Sequence, residues 1–511
     1  MQNGYDVVIA GAGSAGCVLA ARISEDPACR VLLVEAGPDY PAAAVPADLA
    51  DGIHGTSTES HDWGLQGGGV AGAPPLGLPR GKVTGGSSAV NATFALRGHP
   101  ADYDGWAVPG WRFDDVLPAF VRLERDLDFG GSPHHGADGP VPVRRYAAAE
   151  RSELMLAVEE AIAGTGVPRI DDHNAPGAVG VGALPVNCTG GRRISTAIAY
   201  LEPARHRANL TIMAGRPVRQ IVTRAGRAEG ILLADADDVV AADEVIICAG
   251  AYLSPVLLLR SGIGPAAGLA ALGCPVVADL PGVGANLADH PWVCLDLPCS
   301  PPDGDPPLFQ VVATARSSRA AAAGAPDLQL MACGPYPAAG GGHACMIAAA
   351  LVKPTSRGTV RIRDLDPATA PEIDLGFYRE QSDLATLREG LRMAEAAAHH
   401  PALAGVTNRQ RLGPPCEVIA SDRAAAAWMR TSTWTYHHPV GSCAMGLDPA
   451  AGAVVDPDGR VHGVTGLSVV DASILPGIPS ANTNIPTIMA AEHVAARRSR
   501  SRADQVIAAA P

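Results

Sequence analysis

The sequence predicts an α/β fold, α+β overall, and three observations carry that reading. Tyr5 to Ala10 is a β-branched apolar run, Gly11-Ala12-Gly13-Ser14-Ala15-Gly16 has GxGxxG spacing, and Cys17 to Ile23 suits a helix before a second apolar run, Arg30 to Val34. Strand, glycine turn, helix and strand in that order make the first unit of a Rossmann-like sheet. Glu244 to Gly250, EVIICAG, repeats the buried-strand pattern and ends in Ala-Gly, which returns the chain to the same sheet edge. Downstream, short strand-like runs around Leu328–Met331, Met346–Leu351 and Thr359–Ile362, with a helical stretch at Ser382–His399, predict a second domain of one sheet with helices behind it.

The glycine turn defines a dinucleotide cradle. Gly11 permits the tight turn, Gly13 lets a pyrophosphate approach the backbone at Ser14 and Ala15, and Gly16 lets the helix lie close to the sheet. The helix N-terminus supplies free N–H groups and positive dipole to the phosphates. Glu35 closes the second strand, roughly 20 residues past the glycines, where a carboxylate accepts hydrogen bonds from a ribose. A carboxylate there suits NAD or FAD better than NADP. An isolated GxGxxG would also fit an ordinary βαβ turn, so the flanking strands decide the reading.

Composition narrows the remaining classes. The chain has 511 residues of which 47% are apolar, enough for a sizeable core; length alone suggests about two to four domains. No apolar run reaches membrane-spanning length, and the first strand starts at Tyr5, leaving no room for a leader, so a cytoplasmic location is expected. Eleven cysteines are dispersed without a CxxC, which reads as buried thiols and predicts no metal site. A net charge of −13 and 4% aromatic residues argue against nucleic acid.

Residues 36–80 are rich in Gly, Pro and small polar residues and predict a long surface excursion, a frequent kind of functional cover. Trp111 to Glu124 predicts an amphipathic helix capped by Asp114, and Glu150 to Gly164 another. Leu210–Ala214, Val218–Thr223, Gly230–Ala234 and Val239–Val240 look like a β-meander. Pro335 to His343 is a glycine-rich candidate lid, and the tail from Arg498 is expected to fray.

Two further stretches identify a family. Arg80 to Asn91, RGKVTGGSSAVN, is a second glycine turn with hydroxyls, and Gly250 to Gly264, GAYLSPVLLLRSGIG, combines small, Ser-Pro, aliphatic and Ser-Gly-x-Gly positions. The chain resembles the glucose-methanol-choline oxidoreductases, flavoproteins that bind FAD and mostly oxidise alcohols, and Pro281 to Pro291, PGVGANLADHP, is similar to the same family. The resemblance implies a discontinuous FAD-binding domain from residues 1–160, 190–291 and 436–511, a substrate-binding domain over 292–435, and a connecting segment at 161–189. It further implies cofactor contacts at Gly11, Gly13, Ser14, Ala15, Gly16, Glu35 and Ala36. The second turn adds Arg80, Gly85, Gly86, Ser87 and Asn91, and later segments add Val218, Ala249, Gly250, Asp471 and Ala472. Val90 stands where some members carry the histidine that attaches FAD covalently, so non-covalent FAD is expected. Asn286, Asp289 and His290 are read as a hydrogen-bonded turn.

Thr431 to Gly446, TSTWTYHHPVGSCAMG, and Gly466 to Val494 carry the expected chemistry. By the resemblance, the histidine before Pro-x-Gly is His438 and its polar partner downstream is Asn482. The residue types suit the reaction. A neutral imidazole is matched to take a hydroxyl proton near neutral pH, and an amide donates to the same oxygen without competing as a base. In an extended segment His437 would face away from His438, while Trp434 and Tyr436 would share the face of His438; Trp434, Tyr436 and His437 are therefore candidates for the substrate pocket. A helix from Ile485 to Arg497, with Pro486 and Thr487 in its first turn, would point its positive end at the cofactor. The expected function is FAD-dependent oxidation of a small alcohol, with oxygen or another carrier as acceptor. A lyase on the same fold and a non-catalytic flavin-binding module are the alternatives.

Overall fold

The computed structural model describes residues 4–338, 340–408 and 413–509. The chain begins with β1 (Tyr5–Ala10), α1 (Ser14–Ile23) and β2 (Val31–Val34), followed after a long excursion by β3 (Leu210–Met213), β4 (Val218–Arg224), β5 (Arg227–Leu233) and β6 (Val240–Ile247). Helix α2 (Gly250–Arg260) comes next. A second set of strands comprises β7 (Pro291–Cys299), β8 (Val311–Ala315), β9 (Leu328–Pro337), β10 (His343–Leu351) and the short β11 (Trp434–Thr435), with α3 (Gln381–Ala398) behind it. The chain then returns through β12 (Leu467–Val469) and ends on α4 (Asn484–Ala509).

The first sheet has the order β3-β2-β1-β6-β5-β4, and β12 pairs with β6. Pairs among β3, β2, β1, β6 and β12 are parallel, whereas β4, β5 and β6 are joined antiparallel. Residues Val7–Ile9 and Val31–Leu33 are fully buried, as parallel strands covered on both faces require. The predicted meander is thus corrected at its first member: Leu210–Met213 pairs with β2 at the far edge. Its Leu, Ile and Met suit a parallel strand as well as a hairpin, and the partner is set by tertiary context.

The second sheet runs β11-β7-β10-β9-β8 and is completed by Val181–Ala183. A smaller sheet joins Gln66–Val70 in parallel to Glu372–Phe377. The early excursion is therefore stitched into the later half of the chain. Pro335–His343 forms the end of the β9-β10 hairpin, residue 339 lying outside the described residues. At Trp111–Glu124 the helix spans Phe113–Leu123, and Asp115 instead of Asp114 accepts the Arg112 N–H.

Helix α4 continues to Ala509, beyond the expected fraying point. It packs along α1, and the fully buried Glu492 accepts from Arg22 Nη2 at 2.7 Å and Nε at 3.0 Å. A buried carboxylate of this kind costs too much to leave unpaired, so it fixes the register of α4 against α1. The N-terminal turns of both helices consequently reach one cavity, and Ser14 Oγ donates to Asn484 Oδ1 at 2.9 Å across the junction.

The glycines of the cradle are steric requirements. A Cβ on Gly16 would sit 1.9 Å from the Gly11 carbonyl oxygen, and one on Gly86 would sit 2.7 Å from Gly13 Cα. The two glycine turns therefore touch backbone to backbone. Gly16→Ala is expected to cost about 1–3 kcal/mol or more through overpacking. Thermal unfolding of the variant measures this, and an unchanged midpoint would contradict the packing assignment.

Candidate active site

A cavity of about 930 Å³ lies between the C-terminal edge of the first sheet and one face of the second. At one end it is lined by Gly11, Gly13, Ser14, Ala15, Glu35 and Ala36, joined by Val218, Ala249 and Gly250. At the other it is lined by Tyr436, His437, His438 and Asn482. Arg80, Gly86, Ser87, Asn91, Asp471, Ala472 and Thr487 also face it. Gly16, Gly85 and Pro486 do not: Gly16 and Gly85 act by letting backbones meet, and Pro486 is a buried residue of the first turn of α4. The early excursion contributes Thr56, Thr58, Trp63 and Leu65 to the wall.

The cradle end is built to receive an anionic, ribose-bearing group. Helix α1 starts without a side-chain cap and without an acidic residue in its first turn, so its amide groups are left for a ligand. Glu35 accepts the Ala12 and Gly37 N–H groups, each at 2.9 Å, and burial raises its pKa. Each oxygen keeps a further acceptor position for a hydroxyl.

Asp471 lines the cavity and is hydrogen-bonded within the protein as well. Its Oδ2 accepts from Gly250 N–H at 2.8 Å and Ser254 Oγ at 2.5 Å, and its Oδ1 accepts from Ser473 N–H at 2.8 Å. The carboxylate ties the start of α2 to the turn after β12, and it presents Gly250 and Ala472 to the cavity.

At the opposite end, three side chains form a buried line. His438 Nε2 lies 3.1 Å from Asn482 Nδ2, and His438 Nδ1 lies 3.0 Å from His290 Nδ1. The amide nitrogen is a donor, so Nε2 is the acceptor and the His438 proton resides on Nδ1. His290 then accepts at Nδ1 and carries its own proton on the buried Nε2, which has no hydrogen-bond partner among the described residues. His290 orients the ring and directs Nε2 to Asn482 at the cavity wall.

Burial, reinforced by His290, Arg80 and His437, depresses the His438 pKa well below the ordinary histidine value. His290 and His437 are both pushed down to about 3, each chiefly by burial. All three imidazoles are neutral at neutral pH. Asp289 holds the frame: Oδ1 accepts the backbone N–H of His290 at 2.7 Å and of His438 at 2.8 Å, and Oδ2 accepts Thr435 Oγ1 at 2.6 Å.

The segment around His438 departs from the extended expectation. His437 has φ +64°, which breaks the alternation, so His437 and His438 both line the cavity. Trp434 is 54% exposed and lies outside it, on the outer side of β11, whereas Tyr436 is buried with its ring centroid 4.4 Å from that of His438. His290, read from sequence as part of a turn, is in direct contact with His438. The DHP tripeptide was the available signal, but a chain listing of residues does not tell which buried imidazole meets which.

Sequence profiles of the N- and C-terminal GMC oxidoreductase domains match residues 5–292 and 354–491. The chain belongs to the GMC oxidoreductase family. This GMC oxidoreductase is 36% identical to the 5-(hydroxymethyl)furfural oxidase of Methylovorus sp. (strain MP688), over 96% of this chain and 98% of the relative. It is 37% identical to an oxygen-dependent choline dehydrogenase of Pseudomonas fluorescens (strain Pf0-1), over 97% of this chain and 94% of the relative. Among solved structures, pyridoxine 4-oxidase from Mesorbium loti superposes with a TM-score of 0.88 at 33% identity, covering 97% of this chain and 99% of that one. Among the described residues, no helix is long and apolar enough to cross a membrane.

The buried neutral histidines make the GMC oxidoreductase acid-sensitive. His173 and His493 are also depressed, each to about 4 by burial. An unfolded histidine titrates near 6.5, so below that pH the unfolded chain binds protons that the folded chain refuses. Stability should therefore fall as pH drops below about 6.5, by up to ~1.4 kcal/mol per pH unit for each such residue. His135, raised to about 10 by hydrogen bonds from its ring to Asp126, Asp172 and Glu124 against the effect of burial, is protonated in both states there and does not oppose the trend. Denaturant titrations from pH 6 to 5 test this, and constant or rising stability would contradict it.

Proposed function

We propose that this enzyme oxidises a small alcohol to the carbonyl compound with non-covalently bound FAD, using His438 as the base and Asn482 as the hydroxyl-orienting partner. The reading is carried by the buried His438–Asn482 pair, which opens onto the same cavity as the glycine cradle and Glu35. The cavity suits FAD: uncapped α1 amides, a glycine pair no Cβ could occupy, and a carboxylate at the ribose position. Val90 stands before Asn91, so a covalent histidyl link at that point has no side chain to form it. Gly11, Gly13, Ser14, Ala15, Glu35 and the Gly86–Ser87 turn would hold the dinucleotide.

Bound FAD supplies a two-electron sink for the hydride leaving the carbinol carbon and passes the electrons to oxygen or another carrier. The protein's own part is proton management. A substrate hydroxyl entering between His438 Nε2 and Asn482 finds an acceptor on one side and a donor on the other. The hydroxyl proton moves to Nε2 as the carbon–hydrogen bond breaks, and the resulting imidazolium faces the new carbonyl oxygen. The proton already on Nδ1 remains with the His290 hydrogen bond, so the ring need not rotate. Asn482 Oδ1 is buried and has no hydrogen-bond partner among the described residues, which leaves it free to meet the substrate or cofactor.

The relatives named above are oxidases and dehydrogenases. This favours oxidation over a lyase that would use the same imidazole without net electron transfer, and over a module without turnover.

His438→Ala should lower kcat by roughly 100-fold or more while flavin stays bound; near-wild-type turnover would overturn the assignment of the base. His290→Leu should lower kcat by roughly 10- to 1,000-fold, as expected when the partner that sets an imidazole tautomer is lost, and unchanged kinetics would remove His290 from the account. Denaturing the holoenzyme should release all flavin into the supernatant, and yellow precipitate would contradict non-covalent binding.

A further inference from the structure

The wall beyond the His438–Asn482 pair is apolar and aromatic. Trp292, Met331 and Met346 come from one face of the second sheet, Phe94 from the first half of the chain, and Phe309 from the loop before β8. Tyr436 completes the ring, and its hydroxyl donates to Met331 Sδ at 3.1 Å. These six side chains belong to one continuous hydrophobic cluster. Phe94 and Phe309 pack edge to face with centroids 5.1 Å apart, and Trp292 and Tyr436 lie 6.4 Å apart in a tilted pair.

The charges around the cavity are equally informative. Among the described lining residues the carboxylates are Glu35 and Asp471, both already engaged by backbone N–H groups and both away from this wall. Of the lining cations, Arg80 is beside the pair. Arg80 Nη2 donates to the His437 carbonyl at 2.9 Å, and Lys82 lies over the Trp63 ring. A permanently cationic alcohol would meet Arg80 on a wall to which no carboxylate is presented among the described lining residues. A polyhydroxyl substrate would leave several hydroxyl groups unpaired against Met331, Met346 and Phe94.

Resting on the alcohol-oxidation reading, we propose that the preferred substrate is an uncharged alcohol whose hydroxymethyl group is carried on an aromatic ring. The ring stacks among Trp292, Tyr436 and Phe309, with Met331 and Met346 filling the contact through polarisable thioethers. The CH2OH group reaches His438 Nε2 and Asn482. The alcohol gives a hydride, which carries both electrons, to the bound flavin and a proton to His438, and leaves as an aromatic aldehyde.

The test compares benzyl alcohol, choline and glucose in anaerobic mixing with the holoenzyme. Benzyl alcohol should reduce the flavin with at least roughly tenfold higher kcat/KM than either competitor. Choline or glucose reducing the flavin as efficiently overturns the substrate class and leaves alcohol oxidation intact. No reduction by any of the three overturns both readings together. Binding gives an independent readout: saturation-transfer NMR should show contact to the aromatic protons of benzyl alcohol that excess choline does not displace. Trp292→Ala should raise KM for benzyl alcohol by roughly 10- to 100-fold with less than a threefold change in limiting flavin reduction. Phe309→Ala, on a loop rather than a sheet, should move KM in the same direction. Unchanged KM in a folded Phe309→Ala protein would overturn the placement of the ring.

Discussion

The active-site end of this molecule depends on one buried carboxylate. Asp289 stands at the end of the PGVGANLADHP segment and accepts two backbone N–H groups and one hydroxyl from residues that the chain brings together from far apart. Burial raises its pKa and the three donors offset that in part. Through it, the entry to β7 is fastened to the strap at residues 435–438. That fastening sets His290 beside His438. The electrostatics of the site then follow from burial: a ring excluded from water and flanked by other imidazoles and Arg80 has no reason to hold a second proton.

A second fastening operates at the cradle. The turn at Gly85–Gly86 lies directly on the turn at Gly11–Gly13, and Asp471 ties the start of α2 to the turn after β12. Helix α4, locked to α1 by Glu492, brings Asn482 and the following turn to the far side. The cavity is thus walled by segments from the start, middle and end of the chain. Such a site is rigid because each wall is held by a different buried polar contact.

Much of this was legible in the sequence because the signals are local. The glycine spacing, the carboxylate closing the second strand and the family's segments each describe a short backbone path, and such a path determines its own geometry. His438 and Asn482 were legible through the same resemblance. What the sequence did not convey depends on non-local pairing or on a single dihedral angle. Leu210–Met213 looked like part of a meander and joins the opposite edge of the sheet. The positive φ of His437 brings its side chain to the cavity beside those of Tyr436 and His438, and Trp434 lies outside. His290 is the penultimate residue of a recognisable segment, yet its contact with His438 spans 148 positions. Helix α4 outlasts its apolar stripe because its Arg498 is held by Glu244, a contact invisible to helical periodicity.

The central claim is that a neutral, buried imidazole takes the substrate proton. The pH dependence of kcat/KM for flavin reduction tests it most directly. With the His438 pKa well below its ordinary value, the rate should stay level from about pH 8 down to pH 6, with no acid limb near the free-histidine value of about 6.5. A loss of one power of ten per pH unit below about 6.5, restored by no change in substrate concentration, would show a solvent-exposed base and contradict the account.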